Sequence, residues 1–564
     1  MSTDQRIPLD RFLRYDELSA ALAAAADRRP DLVTVESIGT SNEGRDIWLA
    51  TITDGSTGPH HEKPAHWIDG NIHATELTAC VAALAVIDHL LTGHGADPTV
   101  TRALATRTFY VVPRVNPDGA ELALSDRPRY LRSSTRAWPW LDGHRAPGLH
   151  VADVDGDGRI LTMRVPDPNG GWRRHPDDSR LMTARGPADG PEDGPYWRLF
   201  EEAEVVDHDG FTVPIPAPPE SLDLNRNFPA GWGTNVPGAG DFPGSEPEIA
   251  ALIRAIRARP NICGYNAFHT SGGVLLRPSS TAADSTLPAR DLWLWKELGA
   301  RCTELTSYPV HSVYEDFTWD KSDLMSGAAD DWMYEHLGVI GWTTEFWDAI
   351  HAATGTRGST SIWYTGPSAD EELAVLRWLD ANGMPGYVDW YPFDHPQLGP
   401  VELGGWDQLR TWSNPPAARL EAEVRPHAEF AVFQALAAPS LSIEHAAAHP
   451  AGDGHWRIEV GVANTGWLPT CVTERARKQS LTLPIVVELR LPAGVEIVGA
   501  PARVEAGQLE GRSAFRLDGG RRNDGTPDRA LLSWVVRGTP GAVITAEARH
   551  QRAGTARVEV ELEG

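Results

Sequence analysis

Ala65-His66-Trp67-Ile68-Asp69-Gly70-Asn71-Ile72-His73-Ala74-Thr75-Glu76 runs from a strand-like segment, through a polar turn, towards the apolar run Leu77–Leu91. Ala65–Ile68 reads as a buried strand, and Leu77–Leu91 has the length and composition of a helix. The same alternation continues on both sides. Tyr15–Arg28 is Ala- and Leu-rich and helix-like, while Asp46–Ile52 and Thr108–Val112 read as strands. It resumes after a break, with Ile249–Arg257 and Leu292–Leu305 as helices, Ile262–Phe268 and Val339–Phe346 as strands, and Glu371–Asn382 as a closing helix. Such alternation predicts an α/β fold with helices packed on a mostly buried sheet.

Between these two halves, residues 121–222 are rich in Asp, Gly, Pro and Arg, and they read as a loop-rich insertion without a core of its own. The Pro- and Gly-rich segment Pro385–Pro416 reads as a transition. From about Glu423 the pattern changes to short alternating runs, Trp456–Val462, Leu481–Leu491, Gly494–Val498 and Thr555–Leu562, which predict a small C-terminal β-sandwich. The chain therefore divides into an α/β region, 1–422, and a smaller sandwich, 423–564. A length of 564 residues fits two such units.

The net charge of −26 disfavours a phosphate backbone as partner, so nucleic-acid binding is not expected. The four cysteines, Cys80, Cys263, Cys302 and Cys471, are too widely spaced for a zinc knuckle or a dense disulfide framework and read as free buried thiols. The N-terminal sequence has no signal-peptide pattern, and no apolar run is long enough to span a membrane. A cytoplasmic location is the simplest expectation, and sequence alone gives no oligomeric state.

Chemistry enters with His73 and Glu76, three residues apart on one turn. An imidazole and a carboxylate so placed can converge on a zinc ion, although the same spacing also occurs in plain polar turns. His269 directly follows the strand-like run Ile262–Phe268, at the end of the sheet where α/β folds bind ligands. Two His and one carboxylate leave the fourth zinc position open, as catalytic sites require. Asp223-Leu224-Asn225-Arg226-Asn227-Phe228 offers an Arg and an Asn able to clamp a carboxylate, and Asp223 can orient a ligand His. In Trp342-Thr343-Thr344-Glu345-Phe346, a carboxylate sits in an otherwise buried run, where desolvation would raise its pKa towards that of a useful base.

Taken in order, HATE (His73–Glu76), NPDG (Asn116–Gly119), DLNRNF, the strand-end His269 and TTEF resemble the zinc carboxypeptidase family of carboxypeptidases A and B, over roughly residues 10–385. The segment IGTSNEGRDIWLATI near the start is similar as well. The resemblance implies a mixed, mostly parallel sheet with helices on both faces and one zinc ion per chain. It implies His73, Glu76 and His269 as ligands, Asp223 as the partner of the first His, and Asn225 and Arg226 as the grip on a peptide's terminal carboxylate. Glu345 matches the general base. The implied activity is hydrolysis of the C-terminal amide bond of peptides.

Departures from the family pattern raise further expectations. The oxyanion-stabilising Arg should fall in or near the insertion; Arg164 is the choice on local likeness, with Arg129, Arg132 and Arg136 as competitors. Asp323 stands where the family has a substrate-capping Tyr. Asp330 matches the position that, when Asp, favours basic C-terminal residues, though it could equally cap a helix. Asp153, Asp155 and Asp157, at alternating positions before Gly158, resemble the start of a calcium loop but could equally form an Asx-turn. The missing Tyr and the large insertion keep open an amidase acting on cell-wall stem or γ-glutamyl peptides. A non-catalytic binding protein on the same scaffold is the third reading.

Overall fold

The computed structural model describes residues 6–139, 145–357, 365–517 and 524–563. Its centre is an eight-stranded mixed sheet. The strands lie in the order Val33–Thr40, Asp46–Ile52, Thr108–Val112, Ala65–Gly70, Ile262–Thr270, Ile340–Phe346, Val274–Arg277 and Val310–Ser312. The four central strands, from Thr108–Val112 to Ile340–Phe346, pair in parallel, and antiparallel strands flank them.

Alternation along the strands gives each face its own core. Ile68, Phe109, Phe268 and Phe346 pack with the helices Leu77–Gly93 and Ala417–Ala437 on one face. Trp67, Tyr110, Tyr265 and Ala267 pack with the helices Pro247–Arg257 and Ala329–Leu337 on the other. The four central strands are thus buried almost throughout on both sides, which explains why these runs are largely apolar. Gly70 ends the central strand where a Cβ would lie 2.5 Å from the carbonyl oxygen of Ala79, so the Leu77–Gly93 helix can approach only because that residue is glycine. No single helix among the described residues is long and apolar enough to cross a membrane. All four cysteines are buried and unpaired.

The insertion departs from expectation. Its strands Thr162–Pro166, Trp172–Arg174, Met182–Ala184 and Trp197–Glu201 join Tyr387–His395 and Gly399–Trp406 in a six-stranded sheet. Leu149, Met163, Ala203, Val401 and Leu403 form a small core beneath it. The region read as loop and the region read as transition therefore build one sheet together.

The C-terminal part is a β-sandwich of two four-stranded antiparallel sheets around Trp456, Ile458, Val460, Val487, Trp534, Ile544 and Ala546. The helix Ala417–Ala437 runs through the 422/423 boundary expected from sequence. It buries Leu420, Val424, Ala428 and Ala431 in the core beside the eight-stranded sheet, and the sandwich strands begin at Leu441.

Candidate active site

The turn after the Ala65–Gly70 strand is fixed by Asn71, whose left-handed backbone (φ 58°) suits an Asn, and whose side-chain amide donates to the carbonyls of His73 and Ala74. Asn116, fully buried, donates to the carbonyls of Ile72 and Ser133 and accepts from Gly119 N, which gives the NPDG motif its structural role. The backbone of Ala74 donates to the carbonyl of Arg132. Three sequence-distant segments are thereby tied around one turn.

His73, Glu76 and His269 converge there, all buried. Glu76 Oε1 lies 2.7 Å from His73 Nδ1, Glu76 Oε2 lies 2.9 Å from His269 Nδ1, and the two Nδ1 atoms are 3.2 Å apart. Tetrahedral zinc with ligands at 2.0–2.1 Å would separate its donor atoms by about 3.3 Å. The donor set and spacing fit that ion. Asp223 Oδ1 lies 3.1 Å from His73 Nε2, which holds the proton on that nitrogen and leaves Nδ1 free to coordinate. Although burial opposes it, His73 and His269 hold the Glu76 carboxyl well below the usual carboxylate range, and Arg132 and His73 do the same for Asp223.

Glu345 follows from strand register. In the parallel pair of Ile262–Thr270 with Ile340–Phe346, His269 stands opposite Glu345, so both project from one face. Burial pushes the Glu345 carboxyl up to about 8, with His269 and Arg132 pulling down and Glu76 and Asp330 pushing up.

A cleft of about 360 Å³ opens over these groups, lined also by Arg132, Asn225, Arg226 and Asp330, with Leu276, Val313, Phe317 and Met325 as apolar walls. Asn225 Oδ1 accepts from Ala329 N, the first residue of the helix Ala329–Leu337. Ala328 occupies the N-cap, so Asp330 is not the capping residue; it is buried in the first turn and lines the cleft. Asp323 is exposed and lies outside the cleft lining, whereas Phe317 and Met325 are within it. A larger hollow of about 670 Å³, lined by His89, Arg102, Glu297, Arg301, Glu429 and Trp467 among others, shares no residue with this cleft.

Arg164 is not in the site. It sits in the six-stranded sheet, 2% exposed, with Nε 2.8 Å from Glu402 Oε2 and its guanidinium 4.2 Å from the ring centre of Trp390. Local likeness to an Arg-bearing segment misled, because strand pairing with Gly399–Trp406 carries that residue into another core. Arg164→Ala is expected to lower the melting temperature while leaving kcat within about twofold, since it deletes a half-buried ion pair and stacking contacts but touches nothing in the cleft. Thermal unfolding and steady-state kinetics on the same preparation test this.

Of the four arginines considered for the oxyanion, Arg132 is the one at the cleft: its Nε lies 3.1 Å from Asp223 Oδ2 and its Nη1 3.5 Å from Glu76 Oε1. Arg136 instead pairs with Glu246 and Arg129 with Glu220. The carboxylates of Asp153, Asp155 and Asp157 do gather, but they accept from the loop's own backbone at Gly156, Gly158, Asp157 and Arg159, and Tyr391 donates to Asp155. That is the hydrogen bonding of an Asx-turn loop.

Comparison with known proteins adds the decisive observation: the family model described as zinc carboxypeptidase matches residues 18–355, more than half of the chain. The chain belongs to the zinc carboxypeptidase family. Residues 440–561 match a model described only as a domain of unknown function. The zinc carboxypeptidase region is similar to carboxypeptidase B of Astacus astacus, 28% identical over 164 residues, covering 29% of this chain and 45% of that protein. It is similar to carboxypeptidase A1 of Rattus norvegicus, 23% identical over 371 residues, covering 65% and 68%. Among solved structures, carboxypeptidase A from Helicoverpa armigera aligns at 18% identity with a TM-score of 0.43, over 67% of this chain and 75% of that one. The chain spans less than half the length of the first curated relatives it matches.

Proposed function

We propose that this chain is a metallocarboxypeptidase that hydrolyses the last amide bond of a peptide and prefers a basic C-terminal residue. The observation that carries the reading is one cleft lined at once by a His-Glu-His cluster, a half-buried carboxylate on the neighbouring strand, an Asn-Arg pair and a pocket Asp. His73, Glu76 and His269 would hold zinc, which when bound supplies Lewis-acid chemistry, polarising a carbonyl and acidifying water. Arg226 and Asn225 would grip the free carboxylate of the substrate, which confines cleavage to the chain end. Glu345, with its raised proton affinity, would accept a proton from the attacking water and deliver it to the departing amine nitrogen as the C–N bond breaks.

Arg132 would donate to the oxygen that gains charge as water adds to the carbonyl. Arg132→Ala should then lower kcat by about 10²-fold. Zinc content must be measured alongside, because Arg132 also contacts Glu76 and Asp223. A variant with wild-type zinc and wild-type kcat would remove Arg132 from the chemistry.

Asp330, buried at the cleft beside apolar walls, would pair with a Lys or Arg side chain. Asp330→Ala is expected to cut kcat/KM for Lys-ended peptides by about 10²-fold while changing Leu-ended ones far less. The experiment is a panel of peptides ending in Lys, Arg, Phe, Leu, Glu and diaminopimelate. Equal cleavage of Lys and Phe endings would refute the basic preference.

A second reading is favoured by Asp323, which is exposed where the family's capping Tyr is expected. The substrate would then be a specialised amide, a cell-wall stem peptide or a γ-glutamyl peptide, and a diaminopimelate end would offer Asp330 the same cation. Turnover of muropeptides but not of ordinary peptides selects that reading. Zinc binding with no turnover on either set would indicate a binding protein.

A further inference from the structure

The helix Ala329–Leu337 and the strand Ile340–Phe346 form one continuous unit. Asp330 and the contact to Asn225 lie at its start, and Glu345 lies near its end. Between them is a turn at Leu337–Gly338, where Gly338 adopts a left-handed backbone (φ 62°). A Cβ on Gly338 would fall 2.5 Å from the Cβ of Ala476. This turn is in contact with segments of the C-terminal part on several sides. Arg552, at the tip of the hairpin joining the sandwich strands Val543–His550 and Gly554–Glu561, donates to the carbonyls of Leu337 and, at 3.1 Å, Gly338. Thr473 Oγ1 donates to the same Gly338 carbonyl at 2.8 Å, and Arg475 donates to the carbonyl of Glu335. Asp291 accepts from the backbone of Glu474 and Arg475 and from the hydroxyl of Tyr334.

Arg552 is 4% exposed, and among the described residues its guanidinium is bonded to backbone carbonyls, with no carboxylate paired to it. A desolvated guanidinium without a counter-ion is costly. Here its compensation comes from carbonyls at the negative end of the helix, together with the carbonyl of Cys471. The same hairpin tip accepts from Cys263, in the strand that carries His269, through the Arg552 carbonyl. One side chain thus anchors a turn about 10 Å along the helix from Asp330 and just before Ile340, where the strand begins about 16 Å from Glu345.

We propose that the C-terminal sandwich is a positioning element of the catalytic cleft, with Arg552 setting the placement of the Asp330 helix and the Glu345 strand. This rests on the reading of Asp330 as pocket floor and Glu345 as base. Arg552 touches no substrate; it acts through the turn. A displacement of about 1 Å at such groups is enough to cost much of their effect on rate and selectivity.

The test uses the full chain and compares Arg552→Ala and Arg552→Lys with wild type, reading amide hydrogen exchange together with hydrolysis of Lys- and Leu-ended peptides. In Arg552→Ala, exchange across residues 329–346 should accelerate by about tenfold, because this segment opens locally once its anchor is lost. The Lys-over-Leu preference should fall about fivefold at unchanged zinc content, with partial recovery in Arg552→Lys. Should Arg552→Ala fail to fold, Arg475→Ala loosens the same turn more gently and is read in the same way. Exchange changes confined to the sandwich, or an unchanged Lys-over-Leu ratio in the folded variant, would overturn the proposal. If the wild type itself releases no C-terminal residue, the functional reading fails, and the exchange measurement alone decides whether the sandwich holds this unit in place.

Discussion

Glu345→Gln is expected to lower kcat by roughly 10³-fold with little change in substrate affinity, because the amide keeps the shape of the carboxyl but cannot accept the water's proton. The same substitution should make the metal-free protein more stable at neutral and alkaline pH. Burial, ahead of the neighbouring charges, raises the Glu345 carboxyl from 4.5 to about 8 in the fold, so the folded protein resists its ionisation. The penalty is absent below about pH 4.5, grows as pH rises, and is complete above about pH 8. Gln carries no such penalty. Melting temperatures of chelator-treated wild type and variant should therefore coincide near pH 4 and diverge upward for Glu345→Gln towards pH 8, by a few degrees. A variant that is inactive yet more stable is the signature of a residue kept for chemistry at a cost in stability. Identical melting curves at pH 8 would mean that Glu345 is better solvated than the fold suggests.

Loss of a proposed zinc ligand should have an effect at least as large. His269→Ala removes one of three converging donors and leaves Glu76 with one of its two imidazole neighbours missing. Zinc should fall well below one per chain at micromolar protein, and hydrolysis should fall to background, with no recovery on adding moderate zinc. Chelation of wild-type protein should abolish activity reversibly. It should also lower thermal stability, because the ion offsets the crowding of His73, Glu76 and His269 at one point. A His269→Ala protein that retained stoichiometric zinc would show that the ion is held elsewhere.

The parts of this site visible in the sequence are those set by short-range geometry. His73 and Glu76 share one turn, and His269 and Glu345 each stand at the end of a strand-like run, so their convergence needs only the rule that parallel neighbours present the same end. The sandwich was visible for a similar reason, since alternation over runs such as Trp456–Val462 is local. The six-stranded sheet was not visible. Thr162–Pro166 is five residues long, and its partner Gly399–Trp406 lies more than 200 positions away, so neither half carries a complete pattern. The preference for Arg164 over Arg132 failed on the same ground: several arginines lie near or within the insertion, and only tertiary contacts with Asp223 and Glu76 single out Arg132. The role of Asp330 was ambiguous in sequence because a helix-starting Asp is common; the fold separates the N-cap, Ala328, from the residue that faces the cleft.

The measurement closest to the central claim is zinc content together with release of free amino acid from a Lys-ended peptide and from the same peptide with an amidated C-terminus. One zinc per chain is expected, with release of lysine from the free-acid peptide that stops on chelation and in Glu345→Gln, and little or no cleavage of the amide. Cleavage of both peptides alike, or release that persists without zinc, would contradict it.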